Sequence, residues 1–281
     1  MTSITQHPFV YKFGAFEVTG FGIAMLLTFV IAQIVITAEL DRRGHSVSSI
    51  GMSDVTVAAV IGGLLGAKIY YVLLTGDSIF HRGGFVFWGG LIGGVASTWA
   101  VIRWKKLPYW RIADAAGIGL AAAYAVGRTG CWAVGDDYGR PWVSRFAVSF
   151  PDGAPPSTVQ NMIADFGVKT LAGRAPNEVV SVYPTQLFEV ALALVMFAVL
   201  WRLRDHKHAE GWLFGIYFVL AGAERFIIEF FRAKDDRFFG PLTLAQVIAL
   251  ASMAAGAAIA VSFRSRSPSR ASTPGPAAVA P

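Results

Sequence analysis

Residues 18–39 read VTGFGIAMLLTFVIAQIVITAE, with no charged side chain before Glu39. An apolar helix of about 20 residues crosses the hydrocarbon core of a bilayer, and this run is long enough to do so. The apolar stretches Val55–Leu74, Val86–Ile102, Ile112–Trp132, Gln186–Leu203, Gly211–Phe231 and Leu242–Phe263 follow it. Together they predict an all-α polytopic membrane protein with seven transmembrane helices. Composition points the same way: the 281 residues are 54% hydrophobic and 15% charged, whereas a soluble domain carries about 25% charged residues. The N-terminus is polar and aromatic, so no cleavable signal peptide is expected. A single cysteine, Cys131, excludes an intrachain disulfide framework and a multi-cysteine metal site.

Basic residues predict a direction. Arg42 and Arg43, then Arg103, Lys105, Lys106 and Arg111, then Arg202, Arg204 and Lys207, then Arg264, Arg266 and Arg270 fall on one set of connections. The short segments on the other side hold Lys12, Arg82, Arg232, Lys234 and Arg237. Short cytoplasmic loops collect Lys and Arg, so the N-terminus is expected in the periplasm and the C-terminus in the cytoplasm. Residues 1–264 then form one transmembrane domain, with residues 133–185 inserted as a periplasmic head. A short amphipathic helix is expected in that head near Ser157–Phe166. The Ser-, Pro- and Ala-rich residues 265–281 read as a disordered tail. The net charge of +6 lies in loops and tail rather than in a patch, so no nucleic-acid partner is expected.

Three basic residues interrupt the apolar stretches: Lys68, Arg128 and Arg225. A cation at that depth costs at least about 2.5 kcal/mol on insertion scales and faces a partner or a polar cavity. The predicted direction places all three in the outer half of the membrane. Glu229 on the sixth span, and Gln186 and Glu189 at the start of the fifth, share that level. Six polar or charged groups from four helices suggest a site for an anion, and the anion most available there is a lipid phosphate. Plainer readings stand beside this one. Lys68 is a candidate to snorkel or to pair with an acid, and Arg225 with Glu229 is spaced i,i+4 for an ion pair. Arg128 has no acid at i±4 and lies in the turn-like run Gly127-Arg128-Thr129-Gly130. Its planar fork suits a phosphate.

Three segments carry a more specific signal: Phe87-Trp88-Gly89-Gly90-Leu91-Ile92-Gly93-Gly94, then Gly127-Arg128-Thr129-Gly130-Cys131 continuing to Gly135-Asp136-Asp137-Tyr138-Gly139-Arg140-Pro141, then Glu224-Arg225-Phe226-Ile227-Ile228-Glu229-Phe230-Phe231-Arg232. Tyr183-Pro184-Thr185-Gln186-Leu187-Phe188-Glu189 falls between the last two. In order and spacing the chain resembles the prolipoprotein diacylglyceryl transferase family, seven-helix enzymes of the bacterial inner membrane, from about Phe21 to Phe263. The resemblance implies transfer of a diacylglyceryl group from phosphatidylglycerol to the cysteine thiol of a prolipoprotein signal peptide, forming a thioether and releasing glycerol phosphate. It implies no metal and no organic cofactor. The partners it implies are phosphatidylglycerol, the signal peptide and the lipid bilayer. Carried over by position, Arg128, Arg225 and Glu229 stand as catalytic candidates. Lys68, Gly89, Gly90, Asp136, Gly139, Gln186, Glu189 and Arg232 stand as substrate-binding candidates.

Besides Asp136, which replaces a glutamate, the chain departs from the family pattern at four notable places. Trp88 stands where a histidine commonly precedes the paired glycines, Cys131 replaces an asparagine, Phe21 a tyrosine and Lys68 an arginine. Cationic surroundings are then the route to a nucleophilic thiol. Among other residues, His81 is read as a loop histidine with a secondary candidacy as base. His206 and His208 are read as solvated. Cys131 is read as a buried filler. Asp136-Asp137 make a poor metal site without a nearby histidine and are better partners for Arg128 or Arg140. A paralogue that binds a phospholipid headgroup but runs different transfer chemistry stays open at this point. So does a non-enzymatic lipid- or anion-binding membrane protein; a transporter is less favoured, because no internal repeat is evident.

Overall fold

The structure, a computed structural model, describes residues 4–14, 16–44, 52–79, 84–233 and 237–264. His81 and the expected tail, residues 265–281, lie outside the described residues. Each of the seven apolar stretches folds as a helix: α1 Gly20–Arg42, α2 Met52–Thr75, α3 Phe87–Trp104, α4 Tyr109–Val134, α6 Thr185–Leu203, α7 Trp212–Ile228 and α8 Leu244–Arg264. A short α5, Val159–Ala164, falls inside the segment where an amphipathic helix was expected, and Thr158 caps it by accepting from the Asn161 N–H. Of the long helices, α1, α2, α6 and α8 are long and apolar enough to cross a membrane. Their outward faces agree: Leu26 is 70% exposed and Leu73 77% exposed. Continuous apolar surface of this kind belongs in contact with lipid. The chain is a helical membrane protein.

The long helices pack mainly as pairs: α1 with α4, α2 with α3, and α7 with α8. Helix α4 also joins α6 and α7, and so forms the centre of the bundle. The α2–α3 contact is made by glycines. A Cβ on Gly66 would stand 2.3 Å from the Gly89 carbonyl oxygen, and one on Gly89 would stand 2.3 Å from the Gly66 carbonyl oxygen. Gly62 and Gly93 repeat the contact one turn away. Such small-residue pairs let backbones approach where no water-driven force exists between helices. Ser97 Oγ, on α3, bonds across to the Ala58 carbonyl at 2.7 Å.

Short strands add what the helical reading left out. Strand β1, Ile4–Thr5, runs parallel to β4, Val148–Ser149. Strands β2, Val10–Phe13, and β3, Phe16–Thr19, form a hairpin, a pairing that suits their aromatic and β-branched residues. The hairpin moves the start of the first helix from Val18 to Gly20, where Thr19 Oγ1 accepts from the Gly22 N–H. Strands β5, Arg237–Phe239, and β6, Leu242–Thr243, pair likewise, so the last helix starts at Leu244 rather than Leu242.

Residues 135–184 have a core of their own, with Tyr138, Phe150, Met162 and Val182 all nearly inaccessible. Tyr138 stacks on Phe150 at 5.3 Å between ring centres. Ala233, beyond α7, joins the same core. The N-terminal segment, this head and the connection after α7 therefore meet at one end of the bundle. At the other end Arg42 and Arg43 both pair with the buried Glu39. There the fully buried Asp114 accepts from the Gly211 and Phe214 N–H groups at the start of α7.

Candidate active site

Helix α4 ends at Gly135, whose φ of 71° is left-handed and easiest for glycine. Two residues on, Asp137 takes φ 54°, an uncommon conformation for a residue with a side chain. The first residues of α6 hold this turn. Thr185 Oγ1 donates to the Asp137 carbonyl at 2.7 Å, and Gln186 Nε2 donates to the Asp136 carbonyl at 2.5 Å. Gly139 then lies flat against the end of α7. A Cβ there would meet the Phe231 carbonyl oxygen at 2.4 Å and Tyr183 Cβ at 2.7 Å. That close approach brings the turn to Arg232.

The outcome is one ionic chain across three helices. Arg225 pairs with Glu229 at 2.8 Å, and Glu229 lies 3.8 Å from Arg232. Arg232 and Arg128 grip the two oxygens of Asp137, each at 3.0 Å. Arg128 pairs in addition with Glu189 on α6. Tyr124, one turn before Arg128, donates to Glu189 Oε1 at 3.2 Å, and its hydroxyl lies 3.5 Å from Glu224 Oε1. Burial alone would raise the Asp137 carboxyl, but Arg232 and Arg128 outweigh it and hold it down to about 2. Asp136 moves the other way, raised by burial and then by the charge of Asp137 beside it.

Three buried polar atoms here have no hydrogen-bond partner among the described residues: Arg128 Nε, Gln186 Oε1 and Asp136 Oδ1. Buried polar groups are normally satisfied, and these three lie beside Arg128, Arg225 and Arg232. Cys131 is buried, 3.4 Å from Arg128 Nη1. Its sulfur and the carboxylates of Asp136 and Asp137 lie within 4.8 Å of one another. Asp137 is already taken by two arginines, which leaves a poor donor set for a cation.

Of the eleven residues singled out in the sequence, Arg128, Arg225, Glu229, Asp136, Gly139, Gln186, Glu189 and Arg232 come together. Lys68, Gly89 and Gly90 lie apart from them, on the α2–α3 pair. Lys68 is buried, with Nζ 5.4 Å from the ring centres of both Tyr71 and Phe85. Gly89 serves the close helix contact, and Gly90 faces Ala67 and Gly63. Asp137 proves to be the acid that bridges two arginines. Tyr124 and Glu224 did not stand out in the sequence as site residues. The spacing of Tyr124, four before Arg128, placed it on the arginine's face of α4. Nothing in the spacing of Glu224 tied it to α4.

A helical membrane protein with a buried, arginine-centred site at one end fits the class of enzymes that handle anionic lipid groups. The model of the family described as prolipoprotein diacylglyceryl transferase matches residues 8–262, and the chain belongs to that family. It is similar to the phosphatidylglycerol–prolipoprotein diacylglyceryl transferase of Geobacter sulfurreducens, 25% identical over 268 residues that cover 90% of this chain and 94% of that protein. The enzyme of the same name from Stenotrophomonas maltophilia is 30% identical over 275 residues, 92% of each chain. That of Xanthomonas oryzae pv. oryzae is 29% identical over 90% of this chain and 89% of its own.

Proposed function

We propose that this protein transfers a diacylglyceryl group from phosphatidylglycerol to the lipobox cysteine thiol of a prolipoprotein signal peptide. In this reading α1–α4 and α6–α8 are seven spans of the bacterial inner membrane. The N-terminus and the head, residues 133–185, lie on the periplasmic side. The C-terminus is cytoplasmic, with residues 1–264 as the transmembrane unit and 265–281 as its tail. The bias of basic residues supports the direction. So does the β1–β4 pairing, which joins the N-terminal segment to the head at the end opposite Arg42 and Arg43.

One observation carries the assignment of the site. Arg128 is buried, its outer nitrogens face Asp137 and Glu189, and its Nε has no hydrogen-bond partner among the described residues. The guanidinium is thus fixed in place with a donor to spare. In the reaction the thiolate sulfur bonds to the glycerol carbon that carries the phosphate. The carbon–oxygen bond breaks and its electron pair passes to the departing phosphate oxygen. Arg128 and Arg225 stabilise that charge, and because their acids already orient them they need no reorganisation. Glu229 holds Arg225 and Arg232 in register, and Asp137 ties Arg232 to Arg128. Gln186, Glu189, Asp136 and Gly139 shape the turn that the headgroup meets. Lys68, Gly89 and Gly90 are assigned to the α2–α3 pair rather than to the headgroup.

The test uses proteoliposomes holding phosphatidylglycerol labelled in its headgroup, together with a lipobox peptide. Peptide-dependent release of labelled glycerol phosphate with thioether formation, abolished by Arg128→Gln, is the expected result. Release that is independent of the peptide, or unaffected by Arg128→Gln, would overturn the assignment.

A further inference from the structure

The ionic chain continues past Arg128 into two residues that the transfer mechanism above does not use. Tyr124 Oη lies 3.2 Å from Glu189 Oε1 and 3.5 Å from Glu224 Oε1. Both carboxyl groups are buried, with Glu189 1% and Glu224 6% exposed. A phenol has one O–H to donate, and an ionised carboxylate only accepts. One hydroxyl therefore cannot satisfy two ionised carboxylates. Both contacts are met if one carboxyl carries a proton and donates it to the phenol oxygen.

The pairing pattern selects which. Glu189 faces Arg128 in an ion pair. Glu224 makes no ion pair among the described residues, because the neighbouring Arg225 is turned to Glu229. Around Glu224 stand Tyr124 and Arg128 from α4, Glu189 from α6, and Tyr217 and Arg225 from α7 itself. The adjoining α8 has no ionisable side chain before Arg264. Asp137, Glu189 and Glu229 already stand against Arg128, Arg225 and Arg232. An ionised Glu224 would add an unpaired negative charge to a site meant for phosphate.

We infer that Tyr124 and Glu224 are positioning residues. Glu224, as the carboxylic acid, donates to Tyr124; Tyr124 donates to Glu189; and Glu189 holds the Arg128 guanidinium toward the lipid phosphate. This rests on the phosphatidylglycerol reading above and adds a proton-dependent element to it. When Glu224 ionises, the relay loses a donor and the site gains a negative charge, so lipid binding weakens as pH rises. Glutamine at position 224 stays neutral and still offers an amide N–H to Tyr124.

Two measurements on the full chain test this. In proteoliposomes, the KM for phosphatidylglycerol should rise toward alkaline pH in the wild type and stay flat in Glu224→Gln, with kcat within about threefold of wild type at neutral pH. Glu224→Leu and Tyr124→Phe should each lose about tenfold in kcat/KM, the range expected for one hydrogen bond to a charged group. Glu224→Gln as damaged as Glu224→Leu, or with the pH profile of the wild type, overturns the inference. Infrared spectroscopy of the protein without substrate supplies the second readout. A carbonyl band of a protonated carboxylic acid should be present at neutral pH and vanish in Glu224→Gln. A band unchanged by that substitution overturns the inference whatever the transfer assay shows. A band that behaves as expected in a protein that transfers no lipid would instead overturn the phosphatidylglycerol reading and leave the relay standing.

Discussion

Lys68 and Arg128 are both basic, both buried and both set within long apolar helices, yet they stand in different chemical surroundings. Lys68 sits between two aromatic rings, on a helix pair closed by facing glycines. Arg128 sits among acids contributed by α6 and by the turn after α4, and that turn is tied in turn to Arg232 beyond α7. A buried charge by itself therefore does not locate a site in a membrane protein. The informative feature is a set of opposed charges from separate helices that leaves some donors and acceptors without partners. The α4–α6–α7 region has that feature, and α2–α3 has the packing of a structural hairpin.

The largest expected effect is at Arg128. Arg128→Gln removes the charge that faces Asp137 and Glu189 and should lower transfer by about 100-fold or more, the scale for losing one preorganised charge-stabilising donor. Headgroup release from labelled phosphatidylglycerol measures it. Arg225→Gln should cost less, about tenfold, because the Arg225 side chain is 34% exposed and, among the described residues, forms an ion pair with Glu229 alone. Equal losses at the two positions would erase the gradient from the centre of α4 to the end of α7.

The helical pairs obey a different rule, and Gly66→Val probes it. The first atom of the new side chain would stand 2.3 Å from the Gly89 carbonyl oxygen, so α2 and α3 must separate. Overpacking of this kind costs about 1–3 kcal/mol, which should appear as a lower thermal midpoint in detergent. The ratio of kcat to KM in the surviving folded fraction should change little. A stable Gly66→Val protein with altered lipid kinetics would bring α2–α3 back into the site.

How far these differences can be read from the sequence depends on what sets them. Apolar run length marked all seven long helices, four of which are long and apolar enough to cross a membrane. Depth in the helices marked Arg128, Arg225, Glu229, Gln186 and Glu189, and the family resemblance added Asp136, Gly139 and Arg232. Lys68 was drawn into the same group by its depth and by its match to the arginine of the family's second helix; neither says which neighbour a helix packs against. Asp137 as the bridge, and Tyr124 with Glu224, depend on contacts between α4, α6 and α7 that span up to 100 residues of sequence. The β2–β3 hairpin was lost for another reason: its last residues, Val18 and Thr19, abut a strongly apolar helix and read as the start of it.

Acidification should loosen the charged region before the glycine-packed one. Asp137 titrates lower in the folded protein, at about 2, than the value of about 4 usual for an unfolded chain. Its stabilising contribution is therefore whole above pH ~4 and is lost as pH falls through 2. Two-fifths of its side chain is accessible, so solvent screens the pairs and the contribution is on the order of 1 kcal/mol. Asp137→Asn should remove that part of the acid dependence of the thermal midpoint. An unchanged acid limb in the variant would mean that Arg128 and Arg232 draw no stability from the bridge.

The smallest effect is expected at Lys68, and it is the sharpest test of the contrast. Lys68→Met keeps an unbranched apolar stem of similar length between Tyr71 and Phe85, where methionine sulfur also packs well against rings. It removes the ammonium, whose contact with the two rings is worth about 0.5–2 kcal/mol, but no ion-pair partner of Arg128, Asp137 or Glu189. Transfer should stay within about threefold of wild type, since a change of 1.4 kcal/mol in a barrier is needed for each factor of ten. If Lys68→Met instead matched the loss in Arg128→Gln, the ammonium would have to reach the lipid phosphate during turnover. The α2–α3 pair would then have to close on α4 when substrate binds, and its glycine contact would act as a hinge face rather than a fixed seam.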